Sequence, residues 1–115
     1  MRPTQRTVVI PWPEASPPTE DEVVHLMSRV GLRAQAWGNA PGDTYGWHEH
    51  GYHKTLYCIR GSIVFHTPGA DLTLRPGDRM ELPPGTPHGA TVGPEGVRCA
   101  EAPRRTPWPG DGGRS

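Results

Sequence analysis

The sequence predicts an all-β fold, an antiparallel β-barrel or jelly roll, with one short α-helix near the N-terminus. From Arg33 onward, apolar and polar residues alternate with a period of two in eight short segments. Gly and Pro, 15 of each, mostly separate these segments instead of forming runs. Connections this short join antiparallel neighbours, and about eight short strands at this density are typical of a barrel or jelly roll.

Each predicted strand is bounded by a turn signal that contains Gly or Pro. The predicted strands are residues 33–37, 45–50, 54–60, 62–67, 72–74, 79–82, 88–92 and 97–101. The turn signals between them fall at 38–39, 51–52, 61, 68–69, 76–78, 83–85 and 93–94. Before these strands, Val8–Ile10 predicts a further strand at the edge of a sheet.

One helix is predicted at about residues 20–30. Thr19 and Glu22 have the spacing of a capping box, and Gly31 is placed to end the helix. Between them, apolar residues recur at helical spacing, at positions 23, 26, 27 and 30. We expect this apolar face to pack against a sheet and His25 to be exposed.

The predicted organisation is a single domain in three parts. Residues 1–32 form an extended arm and the short helix, residues 33–102 form the β-barrel, and residues 103–115 form a flexible C-terminal tail. A chain of 115 residues leaves no room for a second catalytic domain.

Charge and composition exclude several classes of partner. Basic and acidic residues balance at 12 each, which argues against a nucleic-acid or membrane-surface binder that uses bulk positive charge. No apolar stretch has the length or position of a membrane span or secretion signal. We therefore expect a cytoplasmic protein. Cys58 and Cys99 fit no zinc pair, and we expect two free thiols, with a disulfide between them as the alternative.

Three of the six histidines lie within the segment Trp47–His53. On a strand, His48 and His50 point to the same face because side chains alternate. A bare H-x-H pattern is more often a polar strand face than a metal site. With a third imidazole from another strand, however, the pair would suit one divalent ion of Fe, Zn, Mn, Ni or Cu.

Two spaced patterns supply that third imidazole. The first runs Gly42, five residues, His48-Glu49-His50, three residues, Lys54, six residues, Gly61. The second runs Gly77, five residues, Pro83-Pro84-Gly85, two residues, His88. They resemble the two motifs of the cupin family, G-x5-H-x-H-x3,4-E-x6-G and G-x5-P-x-G-x2-H-x3-N, in order and separated by residues 62–76. The resemblance covers about residues 37–101.

The resemblance implies a barrel that holds a metal on His48, His50 and His88 and binds a small molecule at its mouth. It also implies that the chain pairs into a homodimer through barrel edges. Its leading activity is metal-dependent oxygenation, with isomerisation or hydrolysis as further options. The alternative is a non-catalytic cupin that binds a small molecule or metal as a sensor or storage module. A third possibility is a structural remnant that binds no ligand.

Two positions depart from the family's pattern. Lys54 stands where the first motif has Glu, and Val92 stands where the second motif ends in Asn. A protonated lysine repels a dication, which leaves three arrangements open. The site uses three histidines and water, which we favour; or His53 turns in as a fourth ligand; or Lys54 pairs with an anionic ligand or carboxylate and the metal is weak or absent.

Two further residues are candidates for catalysis. We expect Lys54 to begin the strand that faces His48 and His50, with its side chain in the same cavity. Lys54 or Tyr45 would then hold the substrate's anion or transfer a proton. Cys58 shares a strand face with Lys54, and a buried inert thiol is the simpler interpretation.

Overall fold

The computed structural model describes residues 6–105, and in this range it contains one α-helix and seven β-strands. The elements are β1 (Val8–Ile10), α1 (Glu20–Arg29), β2 (Gln35–Asn39), β3 (Thr44–His48), β4 (His53–Thr67), β5 (Ala70–Leu74), β6 (Arg79–Leu82) and β7 (His88–Arg104). All of the strand pairs are antiparallel. Across the described residues, no helix has the length and apolar character needed to cross a membrane.

The two longest strands, β4 and β7, pair with each other along most of their length and run through two layers. In the first layer the strand order is β1-β6-β4-β7-β2, which uses the first half of β4 and the second half of β7. In the second layer β5 pairs with the rest of β4, and β3 pairs with the start of β7. The predicted antiparallel jelly roll with one short helix is confirmed, but the sheet does not close into a complete barrel.

The turns predicted at Gly61 and at Gly93-Pro94 are bends inside continuous strands. The register between β4 and β7 shifts from Gly61 opposite Val97 to Ile63 opposite Val92. Gly61 and Gly96 both have positive φ, and a Cβ on Gly61 would lie 2.0 Å from the Gly96 carbonyl oxygen. The two bends therefore pack directly on each other, and together they carry both strands from one layer to the other.

The main core lies between the two layers. It contains eleven buried residues from both halves of the long strands and from β5 and β6: Leu56, Cys58, Ile63, Phe65, Leu74, Met80, Leu82, Ala90, Val92, Val97 and Cys99. This burial of apolar area is the largest favourable contribution to the stability of the fold.

Helix α1 covers the outer face of the first layer. Its Val23 and Met27 pack against Tyr57, Ile59, Ala100 and Ala102. The predicted capping box is present: Thr19 Oγ1 accepts from the Glu22 backbone, and Glu22 Oε1 accepts from the Thr19 backbone. His25 is exposed, as expected.

The N-terminal arm belongs to the same packed unit, because β1 pairs with β6 over three residues. Trp12 packs against the turn before β6, where Gly77 has φ +94° and a Cβ would lie 2.3 Å from Trp12 Cβ. At the other end, β7 continues to Arg104, two residues past the predicted end of the barrel at 102. The rest of the predicted tail, residues 106–115, lies outside the described residues.

Candidate metal centre

The strand pairing places His48 opposite His88, on β3 and β7. Strand β3 ends at His48, so His50 follows the strand instead of extending it, in contrast to the predicted strand 45–50. A hydrogen bond from a neighbouring turn holds the segment that carries His50. Gly85, with φ +73°, donates its backbone N–H to the His50 carbonyl at 2.8 Å. The turn that precedes His88 is thus bonded to the segment that carries His50.

The register between β3 and β7 shifts by one residue between Tyr45 and His48. Strict alternation would send these two side chains to opposite faces. With the shift, both line the same cavity.

The three histidines predicted as ligands lie together. One nitrogen from each of His48, His50 and His88 lies within 4.8 Å of the other two. The ring centroids are 4.3 Å apart for His48 and His88, 4.9 Å for His48 and His50, and 5.2 Å for His50 and His88. Three imidazoles this close are positioned to ligate one divalent metal ion.

Backbone carbonyls orient two of the rings. His48 Nδ1 lies 2.9 Å from the Gly46 oxygen, and His88 Nδ1 lies 2.9 Å from the Thr86 oxygen. An Nδ1–H that donates to a carbonyl leaves Nε2 with its lone pair, which is the state that binds a metal. Tyr52 stacks on His50 with ring centroids 5.0 Å apart, which fixes the third ring.

The donor set fits a metal ion. His50 Nε2 is buried and has no hydrogen-bond partner among residues 6–105, and an unpaired buried nitrogen is costly unless something binds it. Burial, followed by the charges of Lys54 and His88, lowers the pKa of His50, and burial also lowers the pKa of His88. Both imidazoles are therefore neutral at neutral pH, as metal ligation requires.

A cavity of about 260 Å³ lies beside the histidines. Its walls come from β2, β3, β4 and β7, and they combine apolar side chains with a few polar ones: Trp37, Tyr45, His48, Lys54, Leu56, Phe65, His88, Gly89, Ala90 and Glu101. Pockets that hold small molecules have this composition.

The polar end of the cavity is an ion pair. Lys54 Nζ lies 3.4 Å from Glu101 Oε1, and Trp37 Nε1 donates to the same oxygen at 3.0 Å. Lys54 is at the predicted place, and its side chain is only 11% exposed. Glu101 was not among the predicted site residues, although Val97, Cys99 and Glu101 share one strand face by alternation. A charged residue at the end of an inward-facing apolar series is the sequence signal that identifies Glu101 as a candidate.

Tyr45 also lines the cavity, and its hydroxyl donates to Asn39 Oδ1. Burial is the main cause that raises the pKa of Tyr45 above its ordinary value of 10.0. The phenol is therefore protonated at neutral pH and does not serve as a base, and its one O–H would have to leave Asn39 to donate to a ligand.

His53, the candidate fourth ligand, is not brought to the cluster. It lies next to Lys54 on β4 and therefore points to the opposite face. His53 Nε2 lies 2.7 Å from Glu81 Oε1 and 3.0 Å from Arg104 Nη2. This geometry supports three histidine donors without His53.

Cys58 does not line the cavity. It lies in the core directly opposite Cys99, and both thiols are fully buried and free. The simpler interpretation of Cys58, a buried inert thiol, agrees with this position.

Comparisons with known proteins agree with the geometry. Quercetin 2,3-dioxygenase from Bacillus subtilis (strain 168) is 40% identical over 48 residues, which are 41% of this chain and 14% of that enzyme. The structure of KdgF from Halomonas sp. is similar with a TM-score of 0.53 and 28% identity, covering 64% of this chain and 71% of that chain. The DMSP lyase DddQ from Ruegeria pomeroyi DSS-3 shares the fold, with a TM-score of 0.59 and 24% identity over 64% of this chain and 38% of that chain.

The family comparison covers more of the chain. Residues 37–99, more than half of it, match the family described as the cupin domain. This range contains the whole histidine cluster and most of the cavity wall. The chain belongs to the cupin family.

Proposed function

We propose that this cupin is a metal-dependent enzyme of the dioxygenase type that acts on a small molecule in the cavity beside His48 and His88. The observation that carries the proposal is the histidine cluster, in which the buried His50 Nε2 has no other partner within the described residues. The similarity to quercetin 2,3-dioxygenase over 48 residues supports oxygenation. That match spans 14% of the enzyme.

His48, His50 and His88 would hold the metal ion, which would supply Lewis acidity and redox chemistry when bound. The chain's own residues would bind and orient the substrate. Lys54 would hold an anionic group, and Trp37, Leu56 and Phe65 would exclude water from the rest of the molecule. Tyr45, protonated and at the cavity wall, would donate a hydrogen bond or proton.

An isomerase-like reaction uses the same residues without oxygen. Glu101 and Tyr45 both line the cavity and would be the acceptor and the donor for a proton moved between two substrate atoms. Uptake of oxygen distinguishes the two reaction types.

A non-catalytic metal or small-molecule binder is the second candidate function. One observation favours it: Lys54 stands where the first cupin motif has Glu, so no fourth protein ligand joins the three histidines among residues 6–105. Such a protein would hold metal without turnover.

The deciding experiment starts from protein purified without added metal, followed by elemental analysis. Metal-free protein is then loaded with Fe(II), and oxygen uptake is measured with a panel of small acids, thiols and diketones. Metal binding with oxygen uptake supports the dioxygenase. Conversion without uptake supports the isomerase, and metal without conversion supports the binder. Protein that binds no metal overturns the proposal.

We also propose a homodimer. Within the described residues, β1 pairs only with β6 and β2 pairs only with β7, so each leaves an edge available for pairing with a second copy. Light scattering coupled to size-exclusion chromatography tests this, and a mass near the 12.6 kDa of one chain would contradict it.

A further inference from the structure

Lys54 is the only lysine in the chain, and all other basic side chains except the histidines are arginines. It lies on β4 with 9% of its surface exposed, and its side chain lines the cavity beside the histidines. Lysines are almost never this buried without a partner, because the ammonium group loses its hydration. The contacts of the Lys54 ammonium group therefore indicate which kind of ligand the cavity can bind.

Those contacts are incomplete. An ammonium group has three N–H donors. Within residues 6–105 its one ion pair is to Glu101 Oε1, and the distance of 3.4 Å exceeds the usual 2.7–3.2 Å of an N–H to oxygen hydrogen bond. Glu101 also accepts a hydrogen bond from Trp37, so its carboxylate is shared between Trp37 and Lys54. The remaining N–H donors of Lys54 are therefore available to water or to a ligand in the adjoining pockets.

The polar end of the cavity carries one cation, Lys54, and one carboxylate, Glu101. A bound dication would add two positive charges, which no second carboxylate in the cavity wall offsets. An anionic group in the cavity would offset the repulsion between the ammonium group and the metal.

The cavity also limits the size and character of the ligand. Its volume of about 260 Å³ equals roughly nine water molecules at about 30 Å³ each. Trp37, Leu56 and Phe65 form apolar walls around it, and they favour an apolar body. The modest volume and the apolar walls favour a compact acid, such as one with a single aromatic ring.

We infer that the cavity takes a small monocarboxylic acid, with its carboxylate on the Lys54 ammonium group and its apolar body against Trp37, Leu56 and Phe65. This inference rests on the proposed function, since it names the substrate class of the same site. Glu101 is then a positioning residue that holds Lys54 at the cavity wall, and the carboxylate supplies the missing acceptors.

The test uses benzoate as the probe and benzamide as its neutral counterpart, with Zn(II)-loaded protein and calorimetry. Benzoate should bind at least about tenfold more tightly than benzamide, because a hydrogen bond to a charged group is much stronger. Lys54→Met should remove this preference. Arg33→Gln is the matched control: Arg33 is an exposed cation near Lys54 and Glu101, and its loss should change the benzoate affinity less than about twofold.

A second measurement needs no variant. Lysine labelled with ¹³C and ¹⁵N gives a single Nζ resonance in this chain, and benzoate should shift it while benzamide leaves it unchanged. Equal affinity for the two probes, a preference that survives in Lys54→Met, an unshifted lysine resonance, or no benzoate binding up to about 10 mM overturns the inference.

The zinc content of the same samples separates this inference from the proposed function. One zinc per chain without a carboxylate preference leaves the metal site standing and removes only the substrate class. Absence of zinc removes the basis of the proposed function, and the same titration of the metal-free protein then decides whether the carboxylate binds Lys54.

Discussion

Lys54 Nζ lies 3.4 Å from Glu101 Oε1, so the carboxylate of this cavity is carried by β7 and paired with a cation on β4. The first cupin motif has Glu at the position of Lys54. Among residues 6–105, Glu101 does not lie close enough to the three histidines to be a fourth ligand of the same metal ion. Compared with the cupin motif, this chain has a cation, Lys54, at the position of the motif's Glu. Its carboxylate, Glu101, lies farther from the histidine nitrogens.

The first prediction follows from this charge arrangement. Lys54→Glu should bind Fe(II) or Mn(II) at least about tenfold more tightly than the wild type, because a repulsive charge is exchanged for an oxygen donor. Lys54→Met removes the repulsion without adding a donor and should change the affinity less. Calorimetric titration of the three metal-free proteins at one pH tests this order. Equal affinities would mean that Lys54 does not sense the metal.

The second prediction concerns the histidines. His50→Ala should lower the metal affinity by at least about a hundredfold, since it removes one of three donors, and His48→Ala and His88→Ala should do the same. Elemental analysis after dialysis measures the loss. His25→Ala is the control, because His25 is exposed on α1 and should leave the metal content unchanged. Wild-type metal content in His50→Ala would show that the ion binds elsewhere.

The histidine cluster was predictable because both spaced motifs of the cupin family are present in the sequence. The H-x-H spacing alone did not determine it, since His50 lies beyond β3 and His88 meets His48 through a strand pair distant in sequence. The helix was predictable from local rules, since the capping box and the apolar positions are all within one short segment.

Features that depend on contacts distant in sequence could not be predicted. The bends at Gly61 and Gly96 look like hairpin turns until their mutual packing is known. Glu101 becomes a site residue only because β7 pairs with β4 and places it beside Lys54, 47 positions earlier in the chain. His53 was predicted as a ligand because it is close in sequence to His48 and His50. Strand alternation and its contact with Glu81 place it on the other face of the sheet.

The third prediction concerns the two thiols. Cys58 and Cys99 face each other across β4 and β7 with no solvent exposure. A hydrogen bond with Cys58 and then burial raise the pKa of Cys99, so little thiolate forms at neutral pH. Iodoacetamide should label neither thiol in the native protein within about an hour and both after denaturation in guanidinium. Mass spectrometry counts the labels, and rapid native labelling would contradict the buried position.

The fourth prediction concerns Glu81, which is 2% exposed and lies on β6 opposite Thr55, on the face of the sheet away from the cavity. Burial alone raises the pKa of Glu81, but hydrogen bonds outweigh it and lower the pKa from 4.5 to about 2. The donors include Thr55 Oγ1 at 2.7 Å and Arg104 Nη2 at 2.7 Å. Because the pKa is lower in the folded state, the ionised network stabilises the fold above about pH 4.5 and is lost as the pH falls toward 2.

At about 1.4 kcal/mol per pKa unit, this network contributes about 3 kcal/mol at neutral pH. Glu81→Gln should therefore lower the free energy of unfolding by about 3 kcal/mol at pH 7, since Arg79 and Arg104 lose their shared carboxylate. The deficit relative to the wild type should shrink between pH 4.5 and pH 2. Urea denaturation followed by tryptophan fluorescence measures both. Glu95→Gln, at an exposed position, should change stability by less than about 0.5 kcal/mol, and a Glu81 variant no less stable than that control would show that the network contributes little.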